Sequence, residues 1–387
     1  MIYLDNAAKS VASEKVTDIV IKTMKEDYGN PSSKHILGVD AEKYVKTAAA
    51  QIAATLKVKD KEIIFTSGGT ESNNMALIGT AFANRRAGKH IITTAIEHPS
   101  VYQPLEFLEE MGYEITALPV DHFGHINLDE LKAALREDTI LVSTMMTNNE
   151  VGAIEPVEDI SAIIKEFNKS HNKNIYYHVD AIQAYGKLRI YPKRMGIDML
   201  SVSAHKIHGP KGVGFLYVDE KVKINPIIFG GGQQKGMRSG TMNVPGIAGL
   251  GVAAEEAYAD FDNRIAAISA VKDYVIEHAS LIEGVTVNTP AGNASAPHIV
   301  SISVEDVKSE VLLHALEADG ICVSSGSACS AHHPGISGTL KGIGVADKLL
   351  DSTIRISLCE SNTIEEADQF ISALKKESEI LKRFTHR

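Results

Sequence analysis

Several short stretches of this sequence set reactive side chains among small or apolar neighbours. One is SSGSACSAHHPG, residues 324–335, where Cys329 sits in a run of Ser, Gly and Ala that can neither pack around a thiol nor bridge it. A structural cysteine is usually buried and inert, whereas a working thiol sits in an accessible loop. His332 and His333 follow closely, so a metal site has to be weighed. No fourth ligand is evident, and adjacent histidines diverge on most backbones, so no metal is expected. The two other cysteines differ in setting: Cys322 falls in the apolar run GICVSS and reads as core, and Cys359 in SLCES reads as an incidental thiol.

Other polar residues cluster after apolar runs. Gly68, Gly69 and Thr70 follow EIIFTS, His98 lies in IEHPS, and Asn148 and Asn149 open NNEVG. His178, Asp180 and Gln183 occupy HVDAIQ, and Ser203, His205 and Lys206 occupy SAHKIHGPKG. A Gly-rich turn that opens a helix lets backbone N–H groups approach an anion, and the helix dipole favours phosphate there. The Walker pattern is absent. A lysine at a buried strand end is costly when charged, and desolvation favours the neutral amine that forms Schiff bases. A carboxylate such as Asp180 could keep a pyridine nitrogen protonated, and an aromatic side chain could stack on the ring. Together these meet the requirements of pyridoxal 5'-phosphate (PLP). Taken singly, a turn, a helix cap and a structural histidine explain the same residues.

Such residues converge only if the chain between them builds a sheet with its strand ends on one edge. The apolar runs 62–67, 90–95, 114–120, 140–146, 175–180 and 199–204 read as buried strands, with helical patterns such as 99–111 and 158–170 between them. That alternation predicts a mostly parallel sheet covered on both faces, with ligands beyond the carboxyl ends of its strands. HGPKGVGFLYVD, 208–219, predicts a turn and a further strand. After about residue 255 the pattern changes to a long Ala-rich helix and separate short strands, VTVNT, HIVSISV, ICVSS and TIRISL. The expected division is a large α/β domain over 15–255 and a smaller α/β domain formed by 1–14 and 256–387, the latter carrying the Cys329 loop.

The chain has 387 residues, 44% of them hydrophobic, enough for a sizeable core. A formal charge of -10 argues against nucleic acid, which needs a basic face. Three cysteines without a CxxC pair do not suggest a disulfide framework. Neither a signal peptide nor an apolar run of ~18 residues is visible, so a cytoplasmic protein without membrane contact is expected.

At these residues the sequence closely resembles the NifS/IscS-type cysteine desulfurases, class-V aminotransferase-family members of the fold-type I PLP enzymes. The resemblance begins at YLDNAA (3–8) and YGNPSS (28–33) and continues through FTSGGTESNN, EHPSV, NNEVG, HVDAIQ and SAHKIHGPKG. GGGQQKGMRSGT (230–241), SSGSAC (324–329) and STIRISL (352–358) complete it. It implies that Lys206 carries PLP and then transfers protons, that Asp180 pairs with the pyridine nitrogen, and that His98 stacks on the ring and, as a catalytic residue, helps to transfer protons. Gln183 would touch the ring hydroxyl and Asn149 would lie beside the cofactor. Gly69, Thr70, Ser203 and His205 would hold its phosphate, with Thr241 reaching the phosphate of the other subunit of a homodimer. Arg355, with Asn30, would hold the carboxylate of L-cysteine, and Cys329 would take the sulfur as a persulfide, leaving L-alanine. A sulfur-acceptor protein, such as an iron–sulfur scaffold, would then be a partner.

Two departures from the family pattern stand out. AAKS places Lys9 and Ser10 where the family often has AATT, and the chain ends at LKRFTHR, without the longer tail with which IscS-type members engage a scaffold. The long Cys329–Arg355 segment fits the extended-loop class rather than the short-loop, SufS-like one. The same residues leave three other readings open: a selenocysteine lyase, another PLP enzyme such as an aminotransferase, and a non-catalytic sulfur carrier.

Overall fold

The expected alternation of strand and helix becomes a seven-stranded sheet in the computed structural model, which describes residues 1–290, 292–325 and 337–385, with side chains to Arg383. Its strands in chain order are β1 (Ile63–Thr66), β2 (His90–Thr94), β3 (Glu114–Leu118), β4 (Thr139–Met145), β5 (Tyr176–Asp180), β6 (Met199–Ser203) and β7 (Gly214–Val218). In space they run β1-β7-β6-β5-β4-β2-β3. Strands β2 to β6 pair in parallel, as the pattern predicts. β7 is antiparallel to both β6 and β1. The reason is the link: residues 204–213 hold one 3-10 turn, whereas a parallel return needs a crossover of a dozen or more residues.

Successive strand residues face opposite sides, and both sides are apolar. Ile91, Leu141, Tyr176, Met199 and Leu216 pack on one face with Met75, Val101 and Leu105. Their neighbours Ile92, Val142, Tyr177, Leu200 and Phe215 pack on the other with Ile52, Leu56 and Ile160. That continuous apolar character is what a sheet buried on both faces requires. The covering helices include α1 (Glu14–Lys25), α2 (Ile36–Leu56), α3 (Gly69–Asn74), α4 (Pro99–Glu110), α5 (Val157–His171) and α6 (Val244–Tyr258). α6 packs against both α1 and α2. α3 runs on through a π turn, Met75–Gly79, into Thr80–Asn84, so helical backbone extends unbroken from Gly69.

A second, antiparallel sheet follows: β8 (Val285–Val287), β9 (Ile299–Val304), β10 (Ser324–Ser325) and β11 (Thr353–Ser357), in the order β10-β11-β9-β8. Val300, Ile302, Ile354 and Ile356 bury against α7 (Phe261–Ala279), α8 (Ser309–Ala318) and α9 (Ile364–Thr385), through Val271, Leu312 and Phe370 among others. Ile2–Tyr3 pairs in parallel with Ile321–Cys322. Cys322, expected in the core, is only half-buried; its strand is two residues long and, among the described residues, pairs with that N-terminal segment alone. No helix among the described residues is long and apolar enough to cross a membrane.

Candidate active site

The carboxyl ends of β4, β5 and β6 open onto a cavity of about 220 Å³. Its lining joins both sheets and the N-terminal segment: Ala7, Ala8, Gly69, Thr70, His98, Ser100, Met145, Thr147, Asn149, Asp180, Ile182, Gln183, Ser203, His205, Lys206 and Arg355.

Asp180 is the last residue of β5 and is 4% exposed. One carboxylate oxygen accepts Ile182 N–H at 2.9 Å and the other accepts Asn73 Nδ2 at 2.8 Å. Burial raises its pKa against those bonds and against the nearby His98 and Lys206. His98 caps α4, with Pro99 at the first helical position, where its missing N–H costs nothing. Its Nδ1 accepts Ser100 N–H at 3.1 Å, so the proton of the neutral ring lies on Nε2. Burial lowers its pKa and keeps that ring neutral. Ser100 Oγ sits 2.8 Å from His98 Nδ1 and accepts from Asn73 at 2.9 Å, which links His98 to Asp180 through two side chains.

Lys206 ends the 3-10 turn that follows β6. Its Nζ donates to the backbone oxygens of Ala7 at 2.5 Å and Ala8 at 2.8 Å. Ser10 Oγ donates to His205 O at 2.9 Å and accepts His208 N–H at 2.7 Å, and Lys9 Nζ donates to Gly209 O at 3.1 Å. The two residues that depart from the family pattern therefore fasten the N-terminus to the lysine loop.

Beside the cavity, a more open recess adds Lys9, Ser67, Gly68, Lys211 and Gly212 to Gly69, Thr70, Ser203 and His205. Gly68 has φ +147°, which disfavours any other residue, and a Cβ on Gly214 would lie 2.4 Å from Val202 O and 2.8 Å from Gly68 Cα. Small residues at both places let the turn lie flat against β7. His205 Nδ1 lies 3.0 Å from Ser203 Oγ, and burial, with Lys206, Lys9 and Lys211 nearby, lowers its pKa to about 4. The recess thus combines a helix start, hydroxyls and two lysines, a set suited to an anion. Glu71 also lines the recess, and its carboxylate is engaged by Arg238, whose Nε and Nη2 donate to it at 2.8 and 3.1 Å.

Arg355, at the centre of β11, is 4% exposed. Nη2 donates to Asp5 Oδ1 and Nη1 to Asn149 O, both at 2.9 Å, whereas Nε is buried without a partner. Thr147 Oγ1 is likewise buried without a partner. The site therefore offers polar atoms that the protein itself does not satisfy, and a carboxylate on the Nε edge would meet one of them.

Of the residues singled out in the sequence, Gly69, Thr70, His98, Asn149, Asp180, Gln183, Ser203, His205, Lys206 and Arg355 line this one cavity. Asn30 and Thr241 are exposed and outside its lining; Asn30 Oδ1 accepts Ser32 N–H at 2.9 Å. Cys329, His332 and His333 lie outside the described residues. Cys359 is buried away from the lining, with His208 and Glu360, the three ligand atoms within 4.8 Å of one another. Arg264 already pairs with Glu360 at 2.8 Å, which disfavours a further cation there. Sequence reasoning missed Asp5, Asn73 and His298. Asp5 and Asn73 sit inside quoted motifs, but nothing local marks which neighbour each would meet.

The Aminotransferase class-V family matches residues 2–370. The cysteine desulfurase IscS of Dictyoglomus turgidum is 43% identical over 376 residues, which span 97% of this chain and 94% of that one. A solved NifS-like protein superposes with a TM-score of 0.92 at 37% identity, covering 98% of this chain and all of the other (100%). A structure described as SspA in complex with cysteine gives 0.81 at 33% identity, over 93% and 99% of the two chains.

Proposed function

This chain belongs to the aminotransferase class-V family and is a cysteine desulfurase, and from that premise we propose that PLP is its cofactor, held in the cavity around Lys206. The observation that carries the proposal is the convergence of Lys206, Asp180 and His98, from three separate strand ends, beside an anion recess. The residues fit the group: a buried carboxylate for the ring nitrogen, a neutral imidazole at the ring, and lysines, hydroxyls and helical N–H groups for the phosphate. Bound there, PLP supplies an electron sink for the carbanion formed when cysteine loses its α-proton.

The protein's own groups do the rest. Lys206, whose Nζ rests on the Ala7 and Ala8 carbonyls, would hold the cofactor and would move the α-proton. The Asp180 carboxylate would keep a proton on the ring nitrogen. Arg355 presents its Nε edge to the substrate carboxylate while Asp5 fixes the opposite arm. The Cys329 thiolate attacks the substrate sulfur: an S–S bond forms, the C–S bond breaks, and its electron pair stays with carbon, which gains a proton. L-cysteine and an enzyme thiol thus become L-alanine and an enzyme persulfide, with no external oxidant.

The proposal extends to a homodimer. Tyr28 (67% exposed), Ile36 (68%) and Phe229 (81%) are large apolar side chains that a second copy would cover, bringing Thr241 to the partner's phosphate recess. It extends also to a division at residues 15–255 against 1–14 and 256–387, to a cytoplasmic location, and to a sulfur-acceptor protein such as an iron–sulfur scaffold. The test is to load the protein with PLP, reduce one portion with borohydride to locate the modified residue, and assay alanine and persulfide from cysteine on an unreduced portion. Label on Lys206 with stoichiometric alanine is expected; a protein that takes up no PLP overturns the proposal.

A further inference from the structure

Gln183 lines the cavity, and its amide has a fixed orientation. The Ala7 carbonyl can only accept, so the nitrogen of the amide faces it, at 3.0 Å. The amide oxygen then faces His298 Nε2 at 3.3 Å, so that ring nitrogen carries the hydrogen. His298 is 2% exposed, and its Nδ1 is buried without a partner. Burial, followed by Lys187, Arg355, Lys272 and Lys206, keeps the ring neutral, which leaves one proton and assigns it to Nε2. The backbone beneath the ring is anchored: His298 leads into β9, and its carbonyl accepts Leu358 N–H at 2.8 Å. The same Ala7 oxygen that receives Gln183 also receives Lys206 Nζ, at 2.5 Å. A chain of contacts therefore runs from a buried histidine of the small sheet through Gln183 and Ala7 to the cavity lysine.

We propose that His298 is a positioning residue: its Nε2–H holds the Gln183 amide so that an N–H, not the carbonyl oxygen, is presented to the ring hydroxyl of the cofactor. This inference rests on the PLP reading above. Without His298 the amide oxygen is a buried acceptor stripped of its donor. The bond to Ala7 still keeps the nitrogen on that side, but the amide is then held at one end only, and its second N–H is less firmly aimed into the cavity. The cofactor's ring oxygen then loses a donor that stabilises its negative charge.

His298→Leu removes the donor at similar volume, and His298→Gln restores an N–H. The measurements are the PLP dissociation constant of the dialysed protein, the pH midpoint of the bound cofactor's absorbance change, and the Tm of the cofactor-free protein. His298→Leu should weaken PLP binding roughly five- to tenfold, the equivalent of one hydrogen bond. It should also move the absorbance midpoint upward, and His298→Gln should reverse both at unchanged Tm. In a Gln183→Leu background His298→Leu should add no further loss. His298→Met serves as the donor-free variant if His298→Leu does not fold. Wild-type PLP affinity and midpoint in the donor-free variant overturn the role of His298, as do independent losses in the double variant. Failure of the wild-type protein to bind PLP at all overturns the cofactor reading instead.

Discussion

The Nζ of Lys206 rests on the carbonyl oxygen of Ala7, 199 residues away in the chain, at 2.5 Å. The N-terminal segment is thus part of the reactive centre. Two backbone oxygens, those of Ala7 and Ala8, hold the amine at the mouth of the strand ends.

Lys206→Ala should fold with unchanged Tm, since its partners are carbonyls near the open cavity. Alanine formation from cysteine should fall below detection, because no other amine lines the cavity among the described residues. Normal turnover by this variant would remove Lys206 from the chemistry.

Cys329→Ala should retain PLP, because none of the residues assigned to the cofactor lies near it in sequence. It should form neither persulfide nor sulfide from cysteine. Mass spectrometry of the wild-type protein after one turnover should show a single added sulfur on Cys329; sulfur found elsewhere contradicts the assignment.

Asp180→Asn keeps an oxygen for Ile182 N–H but loses the charge that holds a proton on the ring nitrogen. Turnover should drop by about 10²–10³-fold, the scale on which a preorganised electrostatic group acts. PLP binding should change far less than turnover, and a kcat within threefold of wild type would be inconsistent with this role.

Arg355→Lys keeps a cation beside Asp5 and gives up the planar fork. KM for cysteine should rise about tenfold or more, with a smaller change in kcat. Arg355→Ala is a different experiment, since it leaves Asp5 without its ion-pair partner and should also lower Tm. Steady-state kinetics on the lysine variant and thermal melts on both separate the two effects.

Glu155 provides a pH test away from the chemistry. It is 4% exposed, Oε1 has no partner, and burial raises its pKa to about 8. A carboxyl whose pKa is higher folded than unfolded binds protons more strongly in the native state, so its contribution to stability declines as pH rises from about 4.5 to about 8. Glu155→Gln removes that titration. The Tm of this variant relative to wild type should therefore climb across the same window, and a constant difference would refute the shift.

The parts of this site legible in the sequence are those that local pattern dictates. Asp180 and Ser203 are final residues of apolar runs, and His98 precedes Pro99 at a helix start, so each falls at a strand end or cap that hydrophobic spacing locates. The antiparallel direction of β7 follows from the ten-residue link 204–213, whose shortness the sequence shows as a turn before a further strand. His298, Asp5 and Asn73 gave no signal because their partners Gln183, Arg355 and Asp180 lie 115, 350 and 107 residues off. Pairings of that range follow from how two sheets meet, which no local window contains.

Lys206 and Gln183 are held by oxygens at positions 7 and 8 that every amino acid possesses. What natural selection must preserve there is the path of the main chain rather than a functional group. A substitution at Ala7 or at the half-buried Ala8 would therefore act on this amine through the course of the backbone and not through the loss of a reactive side chain.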